Sequence, residues 1–150
     1  MALKSDRYEL QTDISFFCDT VATRGGVVSL NSSASGAAMD QGVNLVEYAA
    51  ATTGTPVGIL LNDVVNKDLT RTHLNFYKDE VQKGGKVTVL RKGWVVTNTI
   101  DGAPSAGDAA YLGADGDIAA TGTVKIGQFL TGKDADGYAK VEVDLPSSAV

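Results

Sequence analysis

Side chains able to act as a nucleophile, a base or a transition-metal ligand are scarce in this chain. Its 150 residues include one cysteine, Cys18, and one histidine, His73. Together these two would supply a thiolate and its general base, but Cys18 follows Phe16 and Phe17, where a small buried thiol is the ordinary role. The sequence has no G-x-S-x-G nucleophile motif, and two side chains cannot complete a zinc site. The residues therefore offer few catalytic options and cannot fill a transition-metal site.

Two glycine-containing motifs match phosphate or calcium sites in part. Residues 127–134 match G-x-x-x-x-G-K, but Asp134 stands where a Ser or Thr would hold Mg²⁺, and the following residues favour a turn and a strand rather than a helix. Residues 133–137 and 114–117 place acids two apart beside a glycine, as calcium loops do, without the distal glutamate of such a loop. Asp-Gly turns account for both segments without an ion. The sequence therefore predicts neither a nucleotide site nor a calcium site.

Composition and charge narrow the range of partners. The chain is rich in Val, Ile and Thr and has 17 glycines, a mixture that fits pleated strands joined by tight turns. Its net charge is −5, whereas a duplex-binding domain ordinarily presents a basic face. The group of cations and an aromatic residue that we considered runs from Arg91 to Trp94, and we expect Trp94 in the core because Val95 and Val96 follow it. We predict no binding to nucleic acid.

The charges are unevenly distributed along the chain. Residues 63–92 hold seven basic and four acidic side chains, and residues 93–150 hold three basic and eight acidic ones. Such a molecule can orient on a charged partner surface; the alternative is solvated charge scattered over both faces of the strands. The longest charge-free stretches are broken by Gly, Ser, Asn and Thr and are too short to span a membrane. The first 13 residues lack the apolar stretch of a signal peptide, so we expect synthesis in a cytoplasm and no membrane partner.

The first 24 residues differ from the rest. They show no strong strand alternation and no turn residues, and they carry an apolar group at Ile14, Phe16 and Phe17. After them, short apolar runs alternate with glycine-containing turns. We interpret residues 1–24 as an extended N-terminal arm and residues 25–150 as the folded β-rich domain. The alternative, a first strand that belongs to the domain's own core, is left open.

The folded domain is predicted to be a set of strands. Residues 56–61 form a continuous apolar run, as a strand buried on both faces would. Residues 138–145 alternate apolar and charged side chains, which indicates a strand with one buried face. Asp-Gly pairs at 101–102, 115–116 and 136–137 supply the positive φ angles of two-residue hairpin turns. The other predicted strands are residues 25–30, 43–49, 86–90, 93–100, 109–112, 117–121 and 123–130, with a bend or tight turn at Arg91 and Lys92.

Residues 66–83 have two open interpretations. Asp68 can cap a helix, and four side chains recur at helical spacing: Leu69, His73, Phe76 and Tyr77. The segment is also long, charged and followed by two glycines, which fits an irregular loop with one helical turn. We expect at most one short helix in the protein.

The order of the strand and turn segments resembles a known protein family. A glycine-led GGVVSL is followed by VNLVEYAA, GTPVGILLNDVVN, VTVLRKGWVVTN, GDAAYL and KIGQFL, and the series closes on VEVDL. Over about residues 25–145, this series is similar to the head decoration (cement) proteins of tailed bacteriophages, of the lambda type and its relatives. The resemblance rests on strands and glycines and includes no catalytic motif.

The resemblance implies a fold, a location and partners. Members of this family are small β-rich barrels or tulip-shaped domains, so we expect a mainly β protein of that kind with an extended N-terminal arm. The family implies that the chain binds the outer surface of the expanded capsid in the virion, as a homotrimer at three-fold and quasi-three-fold positions. It further implies that the chain bridges subunits of the major capsid protein against the pressure of the packaged genome, with no enzymatic activity and no cofactor.

Carried onto this chain, the resemblance places the arm's contacts with the capsid at its apolar side chains. Such a segment gains its burial on the partner surface. The predicted capsid-binding residues are Leu3, Tyr8, Leu10, Ile14, Phe16 and Phe17. Two other functions remain open. The chain could be a phage or bacterial β-domain for adhesion or carbohydrate binding, or a small hydrolase that depends on His73.

Overall fold

The computed structural model describes residues 2–31, 44–61, 80–81 and 83–146. Within these residues the chain is mainly β, as the composition predicts, and the one helical element is a 3-10 turn at Ala114–Gly116. Most of the segment with a possible helix, residues 66–83, and part of the basic segment at 63–92 lie outside the described residues.

The strands are β1 (Leu3–Asp13), β2 (Phe17–Cys18), β3 (Ala22–Thr23), β4 (Val27–Leu30), β5 (Leu45–Glu47), β6 (Pro56–Leu60), β7 (Glu80–Val81), β8 (Val89–Thr97), β9 (Ile100–Asp101), β10 (Ala109–Leu112), β11 (Ile118–Ala119), β12 (Lys125–Phe129) and β13 (Ala139–Asp144).

One large sheet contains all the strands of the described residues except β3 and β7, which pair with each other. Its strands follow one another in the order β2-β5-β4-β6-β8-β13-β12-β10-β11-β9, and β1 pairs with β8 outside that path. The path ends on β2 and β9, which have two residues each and do not pair with each other. Among the described residues the sheet is therefore open rather than a closed barrel, and the mainly β prediction is confirmed.

Strand β8 is the centre of the sheet. Its nine residues pair with β1 along one edge and with β6 and β13 along the other. The bend predicted at Arg91 and Lys92 is wrong, because β8 continues through both residues. The irregularity is instead a β-bulge: Gly93 has a φ of +139°, and the register of β1 shifts between Glu9 and Gln11 on the neighbouring strand.

Two of the three predicted Asp-Gly turns close hairpins. Asp115 and Gly116 have φ angles of 54° and 85° and join β10 to β11, as a two-residue hairpin turn requires. Between β12 and β13, Gly137 has a φ of 84° and its N–H donates to the carbonyl of Asp134 at 3.0 Å, so this hairpin has a longer turn than predicted. The third prediction is wrong, because Asp101 ends β9, which pairs in parallel with β11 and does not form a hairpin.

The alternation predicted near the C-terminal end of the chain is confirmed in β13. Val141 and Val143 are buried, whereas Glu142 and Asp144 are exposed. The two valines pack with Phe129 in the larger of two apolar clusters. Burying each large apolar side chain contributes about 1.5–3 kcal/mol, which holds the strands together. The smaller cluster includes Cys18, Ala22, Val28, Val46 and Leu60.

Residues 2–24 contribute three strands to this fold. Strand β1 pairs with β8, β2 with β5 and β3 with β7. Leu3 is buried in the larger cluster, and Cys18 and Ala22 are buried in the smaller one. Between these anchors, seven of the 11 residues of β1 are exposed. The segment is thus fixed to the rest of the chain near both ends and open to solvent in its middle.

Candidate functional site

A row of side chains crosses three neighbouring strands on one face of the sheet. Trp94 in β8 lies opposite Tyr8 in β1 and opposite Glu142 in β13. Directly opposite residues in antiparallel strands share a face. The next residues along, Val95 and Val141, are fully buried on the other face. The row Tyr8–Trp94–Glu142 therefore lies on the outer face, away from the core.

Trp94 is held between neighbours from both adjoining strands. The Tyr8 ring stacks against it with a centroid separation of 6.4 Å and an interplanar angle of 26°. From β13, the Lys140 Nζ lies 3.4 Å from the indole centroid, a cation–π contact of about 0.5–1 kcal/mol near a surface. The expectation that Trp94 belongs to the core is wrong, because Val95 takes the inward position in β8 and successive side chains alternate between faces.

Large apolar side chains continue from this row along β1. Tyr8 is 53% exposed, Leu10 66% and Ile14 59%. The chain turns just after β1, where the Asp13 carboxylate accepts hydrogen bonds from the Ser15 hydroxyl at 2.6 Å and the Ser15 amide at 2.8 Å. These bonds lower the pKa of Asp13 and form an Asx turn around Ile14. These three large apolar side chains are exposed within seven residues of the sequence, and we call Tyr8, Leu10 and Ile14 the apolar strip.

The other three predicted capsid-binding side chains pack within the chain. Leu3 is 2% exposed and lies in the larger cluster. Phe16 is half-buried against the smaller cluster. Phe17 is half-buried in β2, where the centroid of its ring lies 6.0 Å from the Lys86 Nζ. The apolar strip therefore consists of the predicted residues whose side chains are largely exposed.

Charged side chains surround the row on the same part of the surface. Lys4 lies 3.7 Å from the Asp134 carboxylate and 4.3 Å from the centroid of the Tyr138 ring. The hydrogen bond from the Tyr138 amide, with a smaller contribution from Lys4, lowers the pKa of Asp134. Lys92 pairs with Asp144 at 3.4 Å across β8 and β13. Because these ion pairs are exposed, they contribute little to stability.

An open groove with a volume of about 580 Å³ lies beside Tyr48. The Tyr48 hydroxyl accepts a hydrogen bond from the Gly26 N–H at 3.0 Å and donates one to the Thr23 carbonyl, and burial raises its pKa. Since the hydroxyl uses both functions within the chain, Tyr48 is a structural residue. Sequence reasoning missed the groove because its walls come from separate segments: Ala2, Val21, Ala22, Thr23, Tyr48, Glu80, Asn98, Thr99 and Asp115.

The motif that partly matches a phosphate loop lies in a hairpin. Lys133 donates from Nζ to the carbonyl of Ile100 at 2.9 Å. The Asp134 carboxylate accepts hydrogen bonds from the amides of Asp136 at 3.0 Å and Tyr138 at 2.9 Å. The residues that follow form a turn and β13 rather than a helix, as the sequence predicts.

The two residues considered as a catalytic dyad are not both described. Cys18 is fully buried, its Sγ donates to the Thr20 carbonyl at 3.1 Å, and burial raises the pKa of the thiol. A thiol in this environment is a poor nucleophile. His73 lies outside the described residues. Within the described part of the chain, no three His, Cys, Asp or Glu side chains are grouped so that they could hold a metal ion.

Comparison with protein families relates this chain to a known group. The family model for the phage structural cement protein (E217 gp24/Pam3 gp6) matches residues 8–144. The chain belongs to the phage structural cement protein family. No curated protein matches it individually. In the part of the chain that the structure describes, no helix is long and apolar enough to cross a lipid bilayer.

The match confirms the resemblance that the order of strands and turns indicated, and it associates this cement protein with the phage capsid. The matched region begins at Tyr8 and ends at Asp144, so it contains the whole apolar strip and leaves Leu3 outside. The strip and the Tyr8–Trp94–Glu142 row therefore both lie within the region that the family model matches.

Proposed function

We propose that this cement protein binds the outer surface of the expanded phage head, bridges subunits of the major capsid protein and stabilises the shell against the pressure of the packaged genome. The observation that carries the proposal is the apolar strip, with three large apolar side chains exposed within a short stretch of a capsid structural protein. Binding of this kind needs a complementary surface and no chemistry, so the proposed role is not enzymatic.

The strip lies on and beside a paired strand. Tyr8 is paired with Trp94 of β8, Leu10 lies between the paired residues Glu9 and Gln11, and Ile14 follows the strand. This pairing lowers the conformational entropy that is lost when the strip is covered. Full burial of Leu10 or Ile14 contributes about 1.5–3 kcal/mol each, which gives only weak binding for one copy. We therefore propose a homotrimer at three-fold and quasi-three-fold positions, in which three strips act together at a raised effective concentration.

Substitution tests this proposal more cleanly than deletion. Removing residues 2–24 would remove three strands together with the buried Leu3 and Cys18, so a truncated chain that failed to bind would be uninformative. The double variant Leu10→Ser/Ile14→Ser changes only exposed side chains. A matched control, Val21→Ser/Leu30→Ser, removes two apolar side chains that are 64% and 47% exposed elsewhere.

The measurement is co-sedimentation with expanded empty shells. We expect the strip variant to bind at least about tenfold more weakly, since two buried apolar contacts are lost, and the control to bind like the unmodified chain. Equal binding by the strip variant would overturn the role of the strip. Glycan binding without affinity for shells would favour the adhesion alternative, and turnover lost in His73→Ala would favour a hydrolase.

Two further measurements address the remaining parts of the proposal. Light scattering of the bound and the free protein gives the molar mass, which shows whether three copies associate. The temperature at which filled heads release DNA, with and without this chain, reports stabilisation. We expect a higher release temperature with the chain present, and an unchanged temperature would contradict the stabilising role.

A further inference from the structure

The three Asp-Gly pairs of the sequence, at 101–102, 115–116 and 136–137, lie in very different surroundings. Such a pair has a chemical property besides turn formation. The backbone nitrogen of the glycine can attack the side-chain carboxyl carbon of the aspartate, since glycine has no β-carbon to obstruct the approach. The attack needs an amide that no hydrogen bond holds and a backbone that can rotate at the aspartate.

Asp134 holds the pair at 136–137 in place. Its side-chain carboxylate accepts hydrogen bonds from the amides of Asp136 at 3.0 Å and Tyr138 at 2.9 Å. Its backbone carbonyl accepts a further one from the Gly137 amide at 3.0 Å. The nitrogen that would attack is therefore engaged, and the backbone on both sides of it is fixed.

The pair at 115–116 is fixed by a hydrogen bond and by packing. The Asp115 amide donates to the Ala49 carbonyl at 2.8 Å. Gly116 is buried, and a β-carbon there would collide with the ring of Tyr48. Rotation of the backbone at Asp115 would have to break this bond and displace the packed ring.

The pair at 101–102 has neither restraint. Asp101 is the second and last residue of β9, and both Asp101 and Gly102 are exposed. Among the described residues, the Gly102 amide donates no hydrogen bond. A β-carbon at Gly102 would lie 3.6 Å from the Cβ of Ala120, an ordinary contact distance. The side chain of Asp101 and water therefore both have access to this amide.

We propose that Asp101–Gly102 is a site of spontaneous modification, at which the chain forms a succinimide and converts aspartate to isoaspartate. The Gly102 nitrogen attacks the carboxyl carbon of Asp101 in its protonated form, and a new C–N bond closes a five-membered ring. The C–O bond to the carboxyl hydroxyl breaks, and the hydroxyl leaves with the amide proton as water.

Hydrolysis of the ring completes the reaction. Water attacks one of the two carbonyl carbons and breaks its bond to the Gly102 nitrogen, which takes back a proton. Attack at the side-chain carbon forms isoaspartate's precursor form again, aspartate. Attack at the main-chain carbon leaves a carboxylate on Cα, and the chain then runs through Cβ and Cγ. Isoaspartate has the same mass as aspartate and one more carbon atom in the main chain.

The additional atom falls at one end of the large sheet. Asp101 pairs with Ala119 of β11, and beside this pair the Ile118 amide donates to the Thr99 carbonyl at 3.0 Å. A longer main chain at residue 101 changes the spacing of the groups that β9 offers to β11. The pairing at this end of the sheet is therefore weaker in modified copies.

Peptide mapping of the free protein tests the site, independently of the proposed binding to the shell. The full chain is incubated in mildly acidic buffer, isoaspartate is labelled by an isoaspartate methyltransferase with S-adenosylmethionine, and electron-transfer fragmentation assigns its position. We expect isoaspartate at residue 101 to accumulate at least about tenfold faster than at 115 or 136, because those pairs have to open locally first. Equal rates, a faster rate at another pair, or no isoaspartate at residue 101 would overturn the proposal.

The same incubation in urea is the control for the local sequence. All three pairs are Asp-Gly, so their rates should come together once the chain is unfolded. If residue 101 keeps its full advantage in urea, the preference arises from the sequence around each pair, and the structural argument is wrong.

Substitutions give a second measurement of the same geometry. Asp101→Asn, Asp115→Asn and Asp136→Asn form the same ring with loss of ammonia instead of water, and intact mass follows the deamidation. We expect Asp101→Asn to deamidate at least about tenfold faster than the other two in the folded protein. Asp101→Glu would have to form a six-membered ring and should lose the label at residue 101. Similar deamidation rates in the three folded variants would contradict the proposal.

Hydrogen exchange measures the effect on the sheet. After the incubation, we expect the Ile118 and Ala119 amides to exchange faster in the unmodified sequence than in Asp101→Glu, which keeps the normal main chain. Equal exchange in a fully converted sample would show that the longer main chain leaves the pairing of β9 with β11 intact, against the proposed consequence.

Discussion

The Lys140 ammonium lies 3.4 Å from the centroid of the Trp94 indole ring. Lys140 is opposite Val96 in the strand register, whereas Trp94 is opposite Glu142, so the contact runs diagonally across two strands. With Tyr8 stacked from the other neighbouring strand, the indole is fixed on both sides. The outer face is therefore an ordered surface rather than a set of mobile solvated side chains.

Removing the Lys140 charge should weaken this arrangement. Lys140→Met keeps an unbranched side chain and loses the ammonium, so we expect the free energy of unfolding to fall by about 0.5–1 kcal/mol. Urea unfolding followed by the fluorescence of the single tryptophan measures the change. Lys125→Met, at an exposed position of the neighbouring β12, is the control. Its free energy of unfolding should fall by less than half of the decrease that we expect for Lys140→Met. Equal effects of the two substitutions would contradict a specific contact.

A second prediction concerns a buried hydroxyl. The Ser29 Oγ is fully buried and, among the described residues, has no hydrogen-bond partner. Leaving a hydroxyl unpaired in the interior costs about 1–3 kcal/mol by protein mutational data. Ser29→Ala should therefore keep or raise the free energy of unfolding, as measured by urea or thermal unfolding.

The buried hydroxyl of Thr97 provides the opposite case. It donates to the Gly25 carbonyl at 2.9 Å and lies 3.2 Å from the Ala2 carbonyl, and it accepts a bond from the Thr99 amide at 3.2 Å. Thr97→Val leaves the Gly25 carbonyl and the Thr99 amide without this partner, whereas the Ala2 carbonyl still accepts a hydrogen bond from the Asn98 amide. The substitution should cost about 1–3 kcal/mol. If Ser29→Ala is as destabilising as Thr97→Val, the Ser29 hydroxyl has a partner, and the prediction for Ser29 is wrong.

The strands that sequence reasoning predicted best are those whose pattern is local. In β13, Val141 and Val143 alternate with charged side chains, and one buried face is the only arrangement that suits such a pattern. The continuous apolar run at residues 56–61 likewise contains β6, because a strand with neighbours on both faces needs no polar side.

The outer face could not be predicted in the same way. Trp94, Val95 and Val96 are all apolar, so the local pattern does not say which of them points inward. Pairing with β13 and β1 decides it, and those partners are distant in sequence. For the same reason Leu3 and Leu10 have the same side chain but opposite exposure, 2% and 66%.

A third prediction concerns the close approach of β1 to β8. Gly93 has a φ of +139°, and a β-carbon there would collide with the Tyr8 carbonyl. Gly93→Ala therefore adds a backbone clash to the cost of a positive φ, which alone is about 1–2 kcal/mol. We expect a loss of more than about 2 kcal/mol and faster amide hydrogen exchange in β1.

Gly137→Ala separates the two contributions. Gly137 has a φ of 84° and open space where a β-carbon would lie, so this variant should lose only the conformational cost and keep β1 protected. If Gly93→Ala costs no more than Gly137→Ala, β1 does not approach β8 as closely as described.

The last prediction concerns the response of stability to alkaline pH. Burial raises the pKa of Tyr48 above its ordinary value of 10.0, so the folded state retains the phenolic proton where the unfolded state loses it. The stabilising contribution is complete below pH 10 and is lost as the pH rises above it, at about 1.4 kcal/mol per pH unit for one group. Urea unfolding between pH 8 and 11.5 should show this decline.

Tyr48→Phe should change both the free energy of unfolding at neutral pH and the steepness of its decline above pH 10. At neutral pH it leaves the Thr23 carbonyl and the Gly26 amide unpaired, which costs about 1–3 kcal/mol. Above pH 10 its stability should decline less steeply, because the group responsible has been removed and the difference from the unmodified chain narrows. Tyr8→Phe, the same change at an exposed ring, is the control for the loss of a phenolic hydroxyl. A Tyr48→Phe curve that runs parallel to the unmodified one would show that the alkaline response arises elsewhere.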